Sequence, residues 1–146
     1  MTGPRTDPGE LRERMVQRLA ANTYLAQWEA SLALWWSALA TVPRHRYIPD
    51  TVWIDNHGNG PTLLPVHRDD DPDRWLELAY DDDAVITQID DGRPAGPGLG
   101  GAMPTSSASS PIMVAVMLAA LDAAAGHRVL EIGTGTGYNA ALLAYR

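Results

Sequence analysis

The closing stretch HRVLEIGTGTGYNAALLAYR, residues 127–146, constrains the fold of this chain more than any other. Its first six residues, HRVLEI, read as a buried strand, GTGTG as a tight turn and YNAALLAYR as a helix. Helix, strand, glycine turn and helix in succession is the grammar of an α/β sheet. The glycines fall at Gly133, Gly135 and Gly137. A dinucleotide fingerprint would place its last glycine at position 138, where Tyr138 stands, and no Gly-Lys-Ser/Thr follows to make a phosphate loop. What remains is a turn that lets a ligand lie against the main chain, followed by a helix offering free N–H groups and a positive dipole end. Those groups suit a carboxylate or a ribose. Glu131, two residues before the first glycine, is placed to pair with a ligand ammonium group.

Composition narrows the classes. Of 146 residues, 45% are hydrophobic and 20% charged, which is globular rather than disordered. A formal charge of -7 argues against nucleic-acid binding, which needs Lys and Arg in excess. The absence of Cys excludes a disulfide scaffold, a zinc-thiolate site and a Cys nucleophile, and fits a reducing cytosol. The first ten residues lack the apolar centre of a signal peptide. The longest apolar stretches, residues 31–42 and 111–121, fall short of the ~20 residues that span a bilayer. A soluble, cytoplasmic protein without a membrane partner is expected.

Hydrophobic spacing predicts an amphipathic helix over residues 9–22, with Leu11, Met15, Val16 and Leu19 on one face. A second helix is expected over 25–39, ended by Pro43, with Trp28, Leu32, Trp35, Trp36 and Leu39 at helical spacing. The Trp cluster could stack a ligand, but core packing is the better reading. Residues 51–104 read as the least regular region. TVWID and AVITQI suit short strands there, and DPDRWLELAY a short helix capped by Asp71 or Asp73. HGNGP and the long DGRPAGPGLGGAMP read as loops, the latter a mobile loop over a site or a surface excursion. Residues 105–126 read as one helix with Ser109 or Ser110 as N-cap, Pro111 in its first turn and Gly126 closing it. His45, His57, His67 and His127 lack an i, i+4 pairing, so no metal site is expected, and His45 is expected to pack or hydrogen-bond. The Asp69–Asp71 and Asp81–Asp83 runs read as solvated loop charge.

The pattern VLEIGTGTG resembles the first motif of the class I S-adenosylmethionine-dependent methyltransferases. Two further stretches resemble the protein-L-isoaspartate O-methyltransferase family within that class. TVPRHRYIPD (41–50) is similar to its V-P-R-H-x-F-V-P-E segment, and SASSPIMVAVM (107–117) to its T-I-S-Q-P-x-x-V-A-x-M segment. The resemblance implies an α/β, Rossmann-like fold in three parts: an N-terminal helical region (1–50), a substrate-side region (51–104) and the start of a cofactor-binding domain (105–146). It implies S-adenosyl-L-methionine as cofactor, bound by Glu131, Gly133, Gly135 and Gly137, and Ser109 as the active-site serine. The implied substrate is an isoaspartyl carboxylate in a protein or peptide. Ser110 stands where the family has glutamine, and the Gly/Pro-rich stretch replaces a shorter lead-in, so the acceptor could instead be an aspartate of a dedicated peptide natural product. A complete sheet of this type needs further strands. The expectation is therefore that residues 1–146 form the front of a longer fold, inactive alone, or a non-catalytic fragment.

Overall fold

The computed structural model describes residues 6–56, 63–93, 101 and 103–146. HGNGP with His57, and most of the Gly/Pro-rich stretch, lie outside the described residues. Helix α1 (Pro8–Ala20) starts where Asp7 accepts a hydrogen bond from the Gly9 amide at 2.7 Å, and it buries Leu11, Met15 and Leu19 as the spacing predicts. The helix expected over 25–39 is instead broken. A 3-10 turn (Leu25–Trp28) is followed by α2 (Glu29–Leu32) and α3 (Trp36–Thr41). The breaks fall at Trp28, whose φ of -107° and ψ of 11° leave the helical basin, and at Trp35, which stays in the helical region but at a wide φ of -110°. These bends bring Leu25, Leu32, Trp35 and Leu39 all into the core, with Trp28 and Trp36 packed at its margin. Helix α3 ends as expected: Val42, held extended at ψ 116°, precedes Pro43.

A 3-10 turn (Arg44–Tyr47) leads into the sheet. The four strands are β1 (Thr51–Asp55), β2 (Leu63–His67), β3 (Val85–Ile89) and β4 (Pro104–Ala108), ordered β2-β1-β3-β4 and antiparallel throughout. The middle of the chain is thus more regular than its composition suggests. Pro65 sits opposite Trp53 on the edge strand β2, where a missing N–H does no harm. Gly101 bridges to Leu63, and a Cβ there would run into the Ile89 and Asp90 side chains, which would have to shift to admit it. Helix α4 (Pro72–Tyr80) connects β2 to β3. Asp71 caps it by accepting from the Arg74 amide at 3.1 Å, and buried Trp75 donates from Nε1 to the Pro49 carbonyl at 2.9 Å. Of the acidic runs, Asp71 is thus structural, while Asp82 makes a surface pair with Arg18 at 3.2 Å.

Two expectations about the C-terminal third are corrected. Residues 105–108 are strand β4, and α5 begins only at Pro111 (Pro111–Leu121). The residue before a proline is pushed out of the helical region, and Ser110 is extended at ψ 149°, so the helix cannot grow backward past it. Helix α5 stops at Asp122, left-handed at φ 47°, four residues short of Gly126. The strand expected at 127–132 is not formed: Leu130 is 85% exposed and Ile132 90%. A strand exists by pairing, and among the described residues this segment has no ladder partner. The described sheet is therefore antiparallel, not the parallel Rossmann-like sheet that the βα grammar implies. Helix α6 (Tyr138–Tyr145) does form, buries Tyr138 and Leu142, and docks on α3, where the Tyr145 hydroxyl donates to Thr41 Oγ1 at 3.3 Å. No helix among the described residues is long and apolar enough to cross a membrane.

Candidate active site

The chemistry-bearing segments meet around a cavity of about 370 Å³. One wall is the end of β4 and the face of α5, with Ser109, Val114 and Leu118. The opposite wall is residues 129–136, with Tyr138 and Asn139 at the start of α6. Ser109, Glu131, Gly133 and Gly135 all line it, and Gly137 does not. Gly137 instead stands at the N-cap of α6 with φ 92°, a left-handed conformation that glycine adopts without strain. Gly133 and Gly135 are also left-handed, at φ 75° and 58°, so the turn uses glycine for its backbone at every second position.

Between the two serines the capping is decided. Ser110 Oγ accepts from the Met113 amide at 3.4 Å, so Ser110 is the N-cap and the Ser109 hydroxyl is left to the cavity. Glu131 is held on one side only. Its Oε1 accepts from Asn139 Nδ2 at 2.6 Å, while Oε2 is buried without a partner. The Trp side chains line no part of this cavity.

Sequence reasoning missed Arg44, Tyr138 and Asn139. Arg44 is fully buried. It donates from Nε to the Ala79 carbonyl at 2.7 Å and from Nη2 to the Ser109 carbonyl at 2.9 Å, and its guanidinium lies 5.1 Å from the Tyr138 ring centroid. One side chain thus ties α4, the Ser109 junction and the start of α6 together. Burial lowers its pKa, partly offset by Tyr138 and Tyr80, but a guanidinium keeps its charge in any protein environment. Burial pushes the Tyr138 hydroxyl up to about 12, against the opposing effect of Arg44, so it stays protonated. The available signal for Arg44 was its place inside TVPRHRYIPD; Tyr138 had been read only as a missing glycine.

Next to Arg44, His45 Nδ1 lies 2.7 Å from the Tyr80 hydroxyl, the hydrogen-bonding role expected of it. Burial lowers the His45 pKa, and Arg46 and Arg12 lower it further. Tyr80 is shifted upward by burial, so its hydroxyl stays protonated beside a His45 whose neutral form is favoured. An imidazole whose folded pKa lies below its unfolded value of ~6.5 binds more protons unfolded. Its contribution is present above that value and is lost as pH falls toward the folded pKa. The thermal midpoint is therefore expected to drop between pH 7.5 and 5.5, and to drop less in His45→Gln. Equal pH slopes in the two proteins would refute the assignment.

With this geometry in view, comparison with known proteins is informative. The family model described as protein-L-isoaspartate(D-aspartate) O-methyltransferase matches residues 62–145, which contain Ser109 and the whole glycine turn. The protein-L-isoaspartate O-methyltransferase of Opitutus terrae is 33% identical over 133 residues, 91% of this chain and 39% of that protein. That of Methylorubrum extorquens is 30% identical over 141 residues, covering 97% and 43%. Protein-L-isoaspartate O-methyltransferase 1 of Rhodopseudomonas palustris is 42% identical over 73 residues, covering 50% and 24%. The chain thus spans less than half the length of these relatives. No solved structure matches it significantly. The family match extends over more than half of the chain, and the chain belongs to the protein-L-isoaspartate(D-aspartate) O-methyltransferase family.

Proposed function

We propose that this chain carries the acceptor-binding serine and the first cofactor-binding turn of an S-adenosylmethionine-dependent carboxyl O-methyltransferase acting on isoaspartyl residues in proteins or peptides. The observation that supports this reading best is the single cavity in which Ser109 faces Glu131, Gly133 and Gly135 across separate elements. The residues fit the cofactor. The glycine turn leaves its main chain bare, and buried Glu131 Oε2 lacks the partner that a ligand ammonium would supply. When bound, S-adenosylmethionine supplies a methyl group on a positively charged sulfur.

The chain's own residues then have a positioning task. An acceptor carboxyl with an ordinary pKa of ~4 is ionised at pH 7, so no side chain has to remove a proton. The Ser109 hydroxyl donates to that carboxylate, with the first free amides of α5 beside it, and so fixes the direction of approach. Glu131, braced by Asn139, holds the ammonium end of the cofactor. The relatives reported above carry the isoaspartate name, so a dedicated peptide natural product as substrate has no support among them.

Ultraviolet crosslinking with S-adenosylmethionine carrying a tritiated methyl group tests this placement, because it traps weak complexes. Label is expected in the peptide spanning 129–139 and should be competed away by S-adenosylhomocysteine. Label spread over the chain, or indifferent to the competitor, refutes it. Tight binding is not expected of the 146-residue polypeptide. Among the described residues, 127–132 have no ladder partner, so no neighbouring strand braces the turn in its binding geometry. Isothermal titration should give a dissociation constant well above micromolar and no turnover should be seen; micromolar affinity would contradict this.

A further inference from the structure

Among the described residues, six buried side-chain polar atoms lack a hydrogen-bond partner, and four of them belong to residues lining the one cavity. They are Arg44 Nη1, Tyr138 OH, Glu131 Oε2 and Asn139 Oδ1. Buried polar groups are nearly always satisfied, so a cluster of orphans around a cavity is the imprint of a polar ligand. The four divide by sign. Glu131 and Asn139 present acceptors, the cation end discussed above; Arg44 and Tyr138 present donors.

The Arg44 charge is the more telling of the two ends. Its guanidinium is fully buried and its two made bonds go to neutral carbonyls. No carboxylate pairs with it among the described residues. An uncompensated buried cation is costly, and arginine cannot escape that cost by losing its proton. An anion arriving at Nη1 would relieve it. A carboxylate suits the geometry of a guanidinium edge, and the Tyr138 hydroxyl, whose ring already lies under the guanidinium at 5.1 Å, offers a second donor.

We propose that Arg44 Nη1 and the Tyr138 hydroxyl form a carboxylate-binding point in the cavity, opposite the cation end at Glu131 and Asn139. The inference rests on the cofactor reading above and adds two residues to it. Arg44 precedes the segment that the family model matches, so the match does not reach it. Two ligands bring a carboxylate here: the amino-acid end of the cofactor and the acceptor side chain.

Ligand-observed NMR on the full 146-residue chain reads weak binding and separates these sources. The first pair of probes is S-adenosylhomocysteine and its decarboxylated analogue, which keeps the ammonium group. The second is an isoaspartyl peptide and the same peptide with that carboxyl as a carboxamide. Wild-type chain is expected to prefer the carboxylate member of one pair by about tenfold or more, and the pair that shows it identifies the source. Arg44→Lys and Tyr138→Phe should each cut that preference to about threefold or less, since lysine lacks the planar fork and phenylalanine keeps the ring but loses the donor. Tyr138→Phe keeps the test decisive if Arg44→Lys loses its fold by circular dichroism. A preference unchanged in the folded variants, or no preference in wild type although the probes bind, overturns the proposal and leaves the cofactor reading standing. No binding of any probe to wild type overturns both.

Discussion

Replacing Arg44 by Met is expected to lower stability by about 3 kcal/mol, read as a fall in the urea midpoint with an unchanged slope. The carbonyls of Ala79 and Ser109 each lose a charged donor, at 2.7 and 2.9 Å, the first buried and the second part-buried. A buried acceptor left unsatisfied costs about 1–3 kcal/mol. Two such losses add, while relief from holding an unpaired charge offsets part of them. Arg44→Lys should lose about half as much, since one ammonium reaches one carbonyl where the fork reaches two. A loss below about 1 kcal/mol for Arg44→Met would mean that the bracket between α4, the Ser109 junction and α6 is not holding the site together.

Trp75→Ala is expected to be the more damaging change, at about 4 kcal/mol, because truncating a buried aromatic leaves a cavity as well as a lost transfer term. Trp75 is 1% exposed at the centre of α4, and its Nε1 holds the Pro49 carbonyl just before β1. Trp75→Phe separates the two contributions. It fills most of the volume but leaves that carbonyl unpaired, so about 1–2 kcal/mol is expected. Denaturation midpoints for the two variants decide between packing and hydrogen bonding: equal losses would assign the whole effect to the Pro49 bond. Loosening α4 should also reach the active site, because Ala79 on the same helix anchors Arg44.

Where local chemistry alone sets the structure, the sequence was legible. Asp71 caps its helix, Pro43 ends α3 and Pro111 opens α5, because caps and prolines act within a few residues. TVWID and AVITQI are β1 and β3. Strand β4 was hidden, since PTSSA carries no alternating apolar pattern and is held by pairing with β3 rather than by propensity. The bends at Trp28 and Trp35 were hidden because Leu25, Leu32, Trp35 and Leu39 fit one face of a continuous helix as well, so periodicity alone does not show a break. RVLEI shows the opposite error. Its Val, Leu and Ile give it strand propensity, but a strand needs a neighbour, and among the described residues none is alongside.

The same division runs through the candidate site. Family and the glycine turn followed from sequence alone, because the matching motifs are local and glycines at alternate positions encode the turn's geometry. That Ser110 rather than Ser109 caps α5, and that Arg44 joins Ser109 to Tyr138, could come only from the tertiary structure. Arg44 lies 65 residues from Ser109 along the chain, and a buried charge is recognised by what surrounds it in space.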